Sequence, residues 1–313
     1  MIQTIAVIGA GTMGHAIAGC FAMYGYTVHV SETFEAVLSS CKDKIRAQYE
    51  FLKKEGMEYP IDIDASLGNI TLYDNHEQAV ADADYIIEAI PEDLELKLQL
   101  FDDLDKFCKE DAIFASNTSS LSFESMTARL SPQRKARALV CHWYNPAHIM
   151  PLVELSFFGN MKEDVYKEVE ELYQTIEKRP VRIRKDIPGL VANRIQQAIA
   201  REVFSLIEME AADPKDIDAA LKFGPAFRYA TAGQLEVADF GGIDIWSTVG
   251  GNLLPVMDNS TWASPILKQK VQEKKLGFKS GEGFFTYPEE KKKEIQEAFH
   301  HRLLTQLKAS RSY

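Results

Sequence analysis

The segment Ile5-Ala-Val-Ile8-Gly9-Ala10-Gly11-Thr12-Met13-Gly14 sets the architecture of the chain. An apolar run breaks off into a G-x-G-x-x-G turn, and Ile17, Ala18 and Phe21 follow at helical spacing. The order is therefore strand, glycine turn, helix. Gly9 permits the tight turn, Gly11 lets the backbone approach a pyrophosphate, and Gly14 lets helix and strand pack closely. The helix N-terminus supplies unpaired N–H groups and the positive end of its dipole. Gly9, Ala10, Gly11, Thr12, Met13 and Gly14 are thus expected to cradle the phosphates of a dinucleotide.

A second strand, Thr27 to Val30, ends at Ser31-Glu32, 18 residues after Gly14. A carboxylate at this point accepts hydrogen bonds from the adenosine ribose diol and repels a 2′-phosphate. Glu32 points to NAD rather than NADP; the bland alternative is a solvated loop glutamate. Beyond it, Glu35 to Lys54 reads as helix, Asn69 to Leu72 and Tyr85 to Ile87 as strands, and His76 to Ala83 as a short helix between them. Leu94 to Phe107 is an amphipathic helix, and Ile113 to Ala115 a strand that ends in Ser116-Asn-Thr-Ser119-Ser120. Such alternation predicts an α/β domain built on a parallel, doubly wound sheet. Ligands bind such sheets beyond the carboxyl ends of the strands, where Glu92, Ser119 and His142 fall.

The alternation stops near Lys185. Asp186-Ile-Pro-Gly189 is a turn and helix start, and the segments 190–210, 213–222, 239–257 and 264–275 all read as helix. A charged helix over 289–308 closes the chain. The expected organisation is a dinucleotide-binding domain over 1–185 and an all-α domain over 186–313. Leu206, Ile207, Phe227, Leu235 and Trp246 give the second domain apolar positions suited to burial in a partner, so a homodimer is expected.

A net charge of −11 argues against nucleic acid or an anionic membrane as partner and leaves a small molecule. No apolar run approaches the roughly 18–20 residues that span a bilayer. Four cysteines without paired or metal-ligand spacing suit reduced thiols in the cytoplasm, with no metal site expected. Cys141, beside Ala138, Leu139 and Val140, reads as a buried strand residue.

Residues 141–154, Cys-His-Trp-Tyr-Asn-Pro-Ala-His-Ile-Met-Pro-Leu-Val-Glu, cannot be helical, because Pro146 and Pro151 each remove a donor and extend the residue before them. A strand that turns and comes back would set His142 beside Glu154. A carboxylate on one ring nitrogen fixes the tautomer and raises the basicity of the other, giving a base that works near neutral pH. The competing reading is a structural histidine beside an apolar strand.

Together these stretches resemble the L-3-hydroxyacyl-CoA dehydrogenase family over essentially the whole chain. The resemblance rests on Ile8–Gly14, Glu88-Ala-Ile-Pro-Glu92 with Lys97, Ala115–Ser120 and His142–Glu154, and continues through Asp186–Arg194 and Gly277–Phe284. It implies an NAD-binding Rossmann domain followed by a helical dimerisation domain. By that resemblance His142 is the general base and Glu154 its orienting partner. Ser119 and Asn193 hydrogen-bond the reacting oxygen and the base, and Asn145 helps hold them. Glu92, Lys97, Ser119 and Lys279 are similar to residues that line the cofactor. Ser119 also reads as a helix N-cap and Asn193 as an ordinary polar helix residue.

The activity implied is oxidation of a short-chain L-3-hydroxyacyl-CoA, such as 3-hydroxybutyryl-CoA. Two departures bear on the substrate and raise an alternative, the same chemistry on a non-CoA 3-hydroxy acid. Acyl-CoA members usually carry a basic residue where this chain has Pro151, and the positions that offer Ser and Lys to CoA fall on Gln48 and Glu55, with Lys53 and Lys54 nearby to substitute if the register slips by a residue. Pro151 is similar to relatives that oxidise free 3-hydroxy acids of the carnitine or gulonate type. A third reading is a non-catalytic NAD-binding protein, against which the full His142, Glu154, Ser119 and Asn193 set speaks.

Overall fold

A computed structural model describes residues 1–312. The apolar runs become eight strands: β1 (Thr4–Ile8), β2 (Thr27–Ser31), β3 (Ile70–Tyr73), β4 (Tyr85–Glu88), β5 (Ile113–Ser116), β6 (Ala138–Trp143), β7 (Leu152–Ser156) and β8 (Arg179–Ile183). They form one sheet in the order β3-β2-β1-β4-β5-β6-β7-β8. The reversal of direction beside β1 is the switch point at which a doubly wound sheet opens a crevice. Ile5, Ala6, Val7 and Ile8 are fully buried, as expected of a central strand covered by helices on both faces.

The sheet leaves the parallel pattern at one place, where the chain makes its expected return after His142. From β3 to β6 every pair is parallel, but β7 runs antiparallel to β6, and β8 follows β7. The connection from Trp143 to Leu152 is too short for a crossover, which takes roughly a dozen residues or more, so the chain must return beside itself.

The helix Gly14–Ala22 is buried along its whole length against β1 and β2. A methyl group on Gly14 would lie 1.8 Å from the Gly9 carbonyl oxygen, so no side chain fits where helix and strand cross. The expected helix over 35–54 is two helices, Glu35–Ser39 and Cys41–Lys54, separated at Ser40.

The chain divides into two compact units, Met1–Ala192 and Asn193–Tyr313. The first runs past the Lys185 limit expected from sequence for two reasons. Leu190 is buried in the same apolar cluster as Phe114, Val140 and Ile183, and the backbone N–H groups of Val191 and Ala192 donate to Glu154. The second unit is helical, with helices such as Pro214–Phe223, Gln234–Gly241, Ile243–Leu253 and Lys292–Ser310. The single helix expected over 239–257 is interrupted at Gly242, whose φ of 89° favours glycine. Among the described residues of this unit only Ile217, Val237 and Leu304 are buried apolar side chains, whereas Phe223, Phe227, Leu235 and Phe240 are exposed. No described helix is long and apolar enough to cross a membrane.

Candidate active site

The antiparallel return puts His142 and Glu154 in register across β6 and β7. The Nδ1 of His142 lies 2.9 Å from a Glu154 carboxylate oxygen, and the residues are only 4% and 1% exposed. The other oxygen of Glu154 accepts from the N–H groups of Val191, at 2.9 Å, and Ala192, at 3.0 Å. Burial by itself would raise the Glu154 pKa, but the bonds from His142, Ala192 and Val191 outweigh it and hold the carboxyl below its usual range. An ionised carboxylate only accepts, so the Nδ1 of His142 carries a proton and its Nε2 presents a lone pair. That nitrogen faces the Ser119 hydroxyl at 3.3 Å. The Tyr144 ring packs edge-on against the imidazole at 5.1 Å. The arrangement can take a proton at Nε2, with the Glu154 carboxylate stabilising the resulting imidazolium.

Ser119 is held from behind. One oxygen of Glu92 accepts from the Thr118 hydroxyl at 2.6 Å, from the Ser119 and Ser120 N–H groups at 2.9 and 2.8 Å, and from the Ser120 hydroxyl at 2.9 Å. Its other oxygen is 3.3 Å from the Lys97 ammonium. These bonds and the nearby ammonium overcome the burial that would raise its pKa, and bring Glu92 down to about 2. Lys97 itself is 1% exposed and donates at 2.6 Å to Glu88, which is fully buried at the end of β4 and also accepts from the Ser116 hydroxyl. The resemblance implies that Glu92 and Lys97 line the cofactor; the Lys97 ammonium is enclosed between two glutamates, and Glu92 clamps the loop that carries Ser119. Asn117 completes the clamp, its side-chain oxygen accepting from the Trp143 N–H at 2.9 Å.

The glycine turn has the shape a dinucleotide requires. Gly9 has φ of 96°, and its N–H donates to the Ser31 carbonyl at 2.7 Å, which fixes the turn across the ends of β1 and β2. A methyl group at Gly11 would meet no protein atom within 4 Å, so the space above this residue is open for a ligand. Glu32 follows β2, and its two oxygens accept from Ala10 N–H at 3.1 Å and Phe34 N–H at 3.0 Å. The carboxylate is therefore fixed beside the turn with lone pairs to spare for a ribose diol. Gly9 to Gly14 and Glu32 together fit NAD.

Asn145 is exposed in the turn after β6. Asn193 and Lys279 belong to the second unit: Asn193 near the start of the helix Ala192–Glu208, and Lys279 on a short turn at an apolar cavity of about 610 Å³ that Phe204, Phe284 and Tyr287 help line. Sequence reasoning missed Glu88 and Lys178. A glutamate closing an otherwise apolar strand was a usable signal for the first. Lys178 is buried and donates to the carbonyls of Ala147, at 2.6 Å, and Met150, at 2.9 Å, shaping the loop after His142. Nothing local marked it, because its partners are remote in sequence.

A glycine turn that fits NAD, at the same end of the parallel strands as a buried imidazole–carboxylate pair, defines an NAD-dependent oxidoreductase. Residues 4–187 match the family described as 3-hydroxyacyl-CoA dehydrogenase, NAD binding domain, and residues 189–287 match its C-terminal domain. The chain belongs to the 3-hydroxyacyl-CoA dehydrogenase family. It is similar to the 5-formyl-3-hydroxy-2-methylpyridine 4-carboxylate 5-dehydrogenase of Mesorhizobium japonicum, with 31% identity over 95% of this chain and 94% of that one. A solved structure of a 5-formyl-3-hydroxy-2-methylpyridine 4-carboxylic acid 5-dehydrogenase, described as an NAD-dependent dismutase, matches with a TM-score of 0.90, 30% identity and 97% of both chains covered. The (S)-3-hydroxybutyryl-CoA dehydrogenase of Ralstonia eutropha matches with a TM-score of 0.74 and 28% identity over 92% of this chain and 100% of that one.

Proposed function

We propose that the protein interconverts a hydroxyl and a carbonyl group with His142 as the base, Glu154 as its orienting carboxylate and Ser119 as a donor to the reacting oxygen. The observation that carries this reading is the unbroken chain Glu154–His142–Ser119, with bonds of 2.9 and 3.3 Å. In the oxidative direction the Nε2 of His142 takes the hydroxyl proton, and Glu154 stabilises the imidazolium that results. Bound NAD would supply the acceptor for the hydride that leaves the carbon bearing this hydroxyl. Ser119, held by Glu92, donates to the oxygen as its bond order changes.

The substrate proposed is a small hydroxy or oxo carboxylate free of CoA. Two points support it: Pro151, which by the family resemblance is similar to relatives that oxidise free 3-hydroxy acids, and the higher TM-score to the pyridine carboxylate enzyme, 0.90 against 0.74 for the hydroxybutyryl-CoA enzyme. An acyl-CoA substrate is the second reading, favoured by the match of both family domains. NADH oxidation with acetoacetyl-CoA, free acetoacetate, 3-dehydrocarnitine and the pyridine aldehyde separates the two. Turnover confined to acetoacetyl-CoA overturns the first. A homodimer through the second unit is also proposed, supported by its exposed Phe223, Phe227, Leu235 and Phe240. Sedimentation as a monomer at micromolar concentration would remove it.

A further inference from the structure

We infer that His76 is a cofactor-specificity residue, whose imidazole is held against Ser31, the residue before Glu32, and sets how strongly a nucleotide bearing a 2′-phosphate is rejected. The inference rests on the reading of Glu32 as the ribose acceptor and extends it to a residue outside the dinucleotide motif.

The carboxyl ends of β2 and β3 are neighbours, with Ser31 in register with Tyr73. The chain leaves β3, turns at Asp74 and Asn75, and enters the helix His76–Val80. His76 is thereby brought back to the end of β2, where its Nδ1 is 2.7 Å from the hydroxyl of Ser31. Ser31 is fully buried and directly precedes Glu32. A serine hydroxyl donates to a neutral Nδ1 or accepts from a protonated one, so this bond holds the ring in place in either state. Only the charge changes. Glu32 is held by Ala10 and Phe34 and stays where it is.

The groups around the ring define the direction of the effect. Burial disfavours the imidazolium and holds the His76 pKa below its ordinary value; Glu32 and Asp103 act in the opposite sense but do not overcome it. Asp103, on the helix Leu94–Phe107, is shared with Gln99 and Lys106. From β2, His29 faces the Ala79 carbonyl and Asp82, and from β3 Tyr73 packs edge-on against His29. On its own helix Glu77 is exposed. Near neutral pH the ring is uncharged and Glu32 acts alone against a 2′-phosphate. On acidification the imidazolium offsets that negative charge, and the rejection weakens. Linkage requires the reciprocal effect: a nucleotide that prefers the protonated form raises the His76 pKa when it binds.

The test is the ratio of the NADP and NAD dissociation constants, measured by fluorescence for the wild-type protein, His76→Gln and Glu32→Gln at about pH 5 and about pH 8. The 2′-phosphate itself gains a proton near pH ~6, so a fall common to wild type and His76→Gln belongs to the nucleotide. The expected result is a fall about tenfold larger in the wild type than in His76→Gln. NMR titration of His76 in the wild-type protein, which needs no variant, is expected to show its pKa raised by NADP and not by NAD. Equal falls in the two proteins, or a His76 pKa unmoved by NADP, overturn the assignment while leaving Glu32 in its role. A ratio that Glu32→Gln leaves unchanged at about pH 8 removes Glu32 from ribose recognition, and His76 with it.

Discussion

Glu154 meets His142 directly across the β6–β7 pair, with 2.9 Å between Oε2 and Nδ1, while its other oxygen is tied to the backbone of Val191 and Ala192. The pairing fixes which ring nitrogen is free. Glu154→Gln keeps the size but offers an amide that can donate to Nδ1, which moves the ring proton to Nε2 and removes the lone pair. Turnover is expected to fall by about a hundredfold or more, with NAD binding unchanged in a fluorescence titration.

Glu92 gives a stability prediction with a definite sign. Its carboxyl falls from 4.5 to about 2 in the folded protein. A group with a depressed folded-state pKa contributes stability above its unfolded value, and the contribution is lost as pH falls towards the folded one. The wild-type protein is therefore expected to lose stability between pH 4.5 and about 2 more steeply than Glu92→Gln, as read by urea unfolding at a series of pH values. The part-exposed position of Glu92 makes the difference modest. Glu154 acts in the same direction, its pKa also being depressed.

Gly11 and Gly14 are expected to separate ligand binding from folding. A methyl group at Gly11 meets no protein atom within 4 Å, so Gly11→Ala should keep the wild-type melting temperature and weaken NAD binding. At Gly14 the added carbon would lie 1.8 Å from the Gly9 carbonyl, so Gly14→Ala must displace β1 from its helix. A cost of about 3 kcal/mol or more in unfolding free energy is expected, together with loss of binding. Equal melting temperatures for the two variants would contradict this.

The Glu88–Lys97 pair is fully enclosed. Lys97→Met leaves the Glu88 carboxylate buried without its cation, at an expected cost of about 3–5 kcal/mol. Adding Glu88→Gln should recover much of that, because the remaining group is neutral. Denaturant unfolding of the single and double variants measures the recovery.

Much of this was legible in the chain because it is local. The strand–glycine–helix unit at Ile5 to Gly14 and the strand ending at Glu32 are written in contiguous residues, and the helix Leu94–Phe107 begins and ends where its apolar period does. The meeting of His142 and Glu154 was also readable, since two prolines leave the intervening segment little choice but to turn. What lay beyond reach depends on distant partners. Lys178 shapes the loop at Ala147 and Met150, and the capture of His76 by Ser31 spans two strands. The break at Gly242 likewise follows from a backbone angle that periodicity does not reveal.

The most direct test of the proposed chemistry is single-turnover hydride transfer in His142→Ala, measured with saturating NAD and the best substrate of the panel. The expected outcome is a rate reduced by at least about a hundredfold, with an NAD dissociation constant within about twofold of wild type. A near-normal transfer rate in that variant would contradict it and leave Glu154 without a role in the reaction.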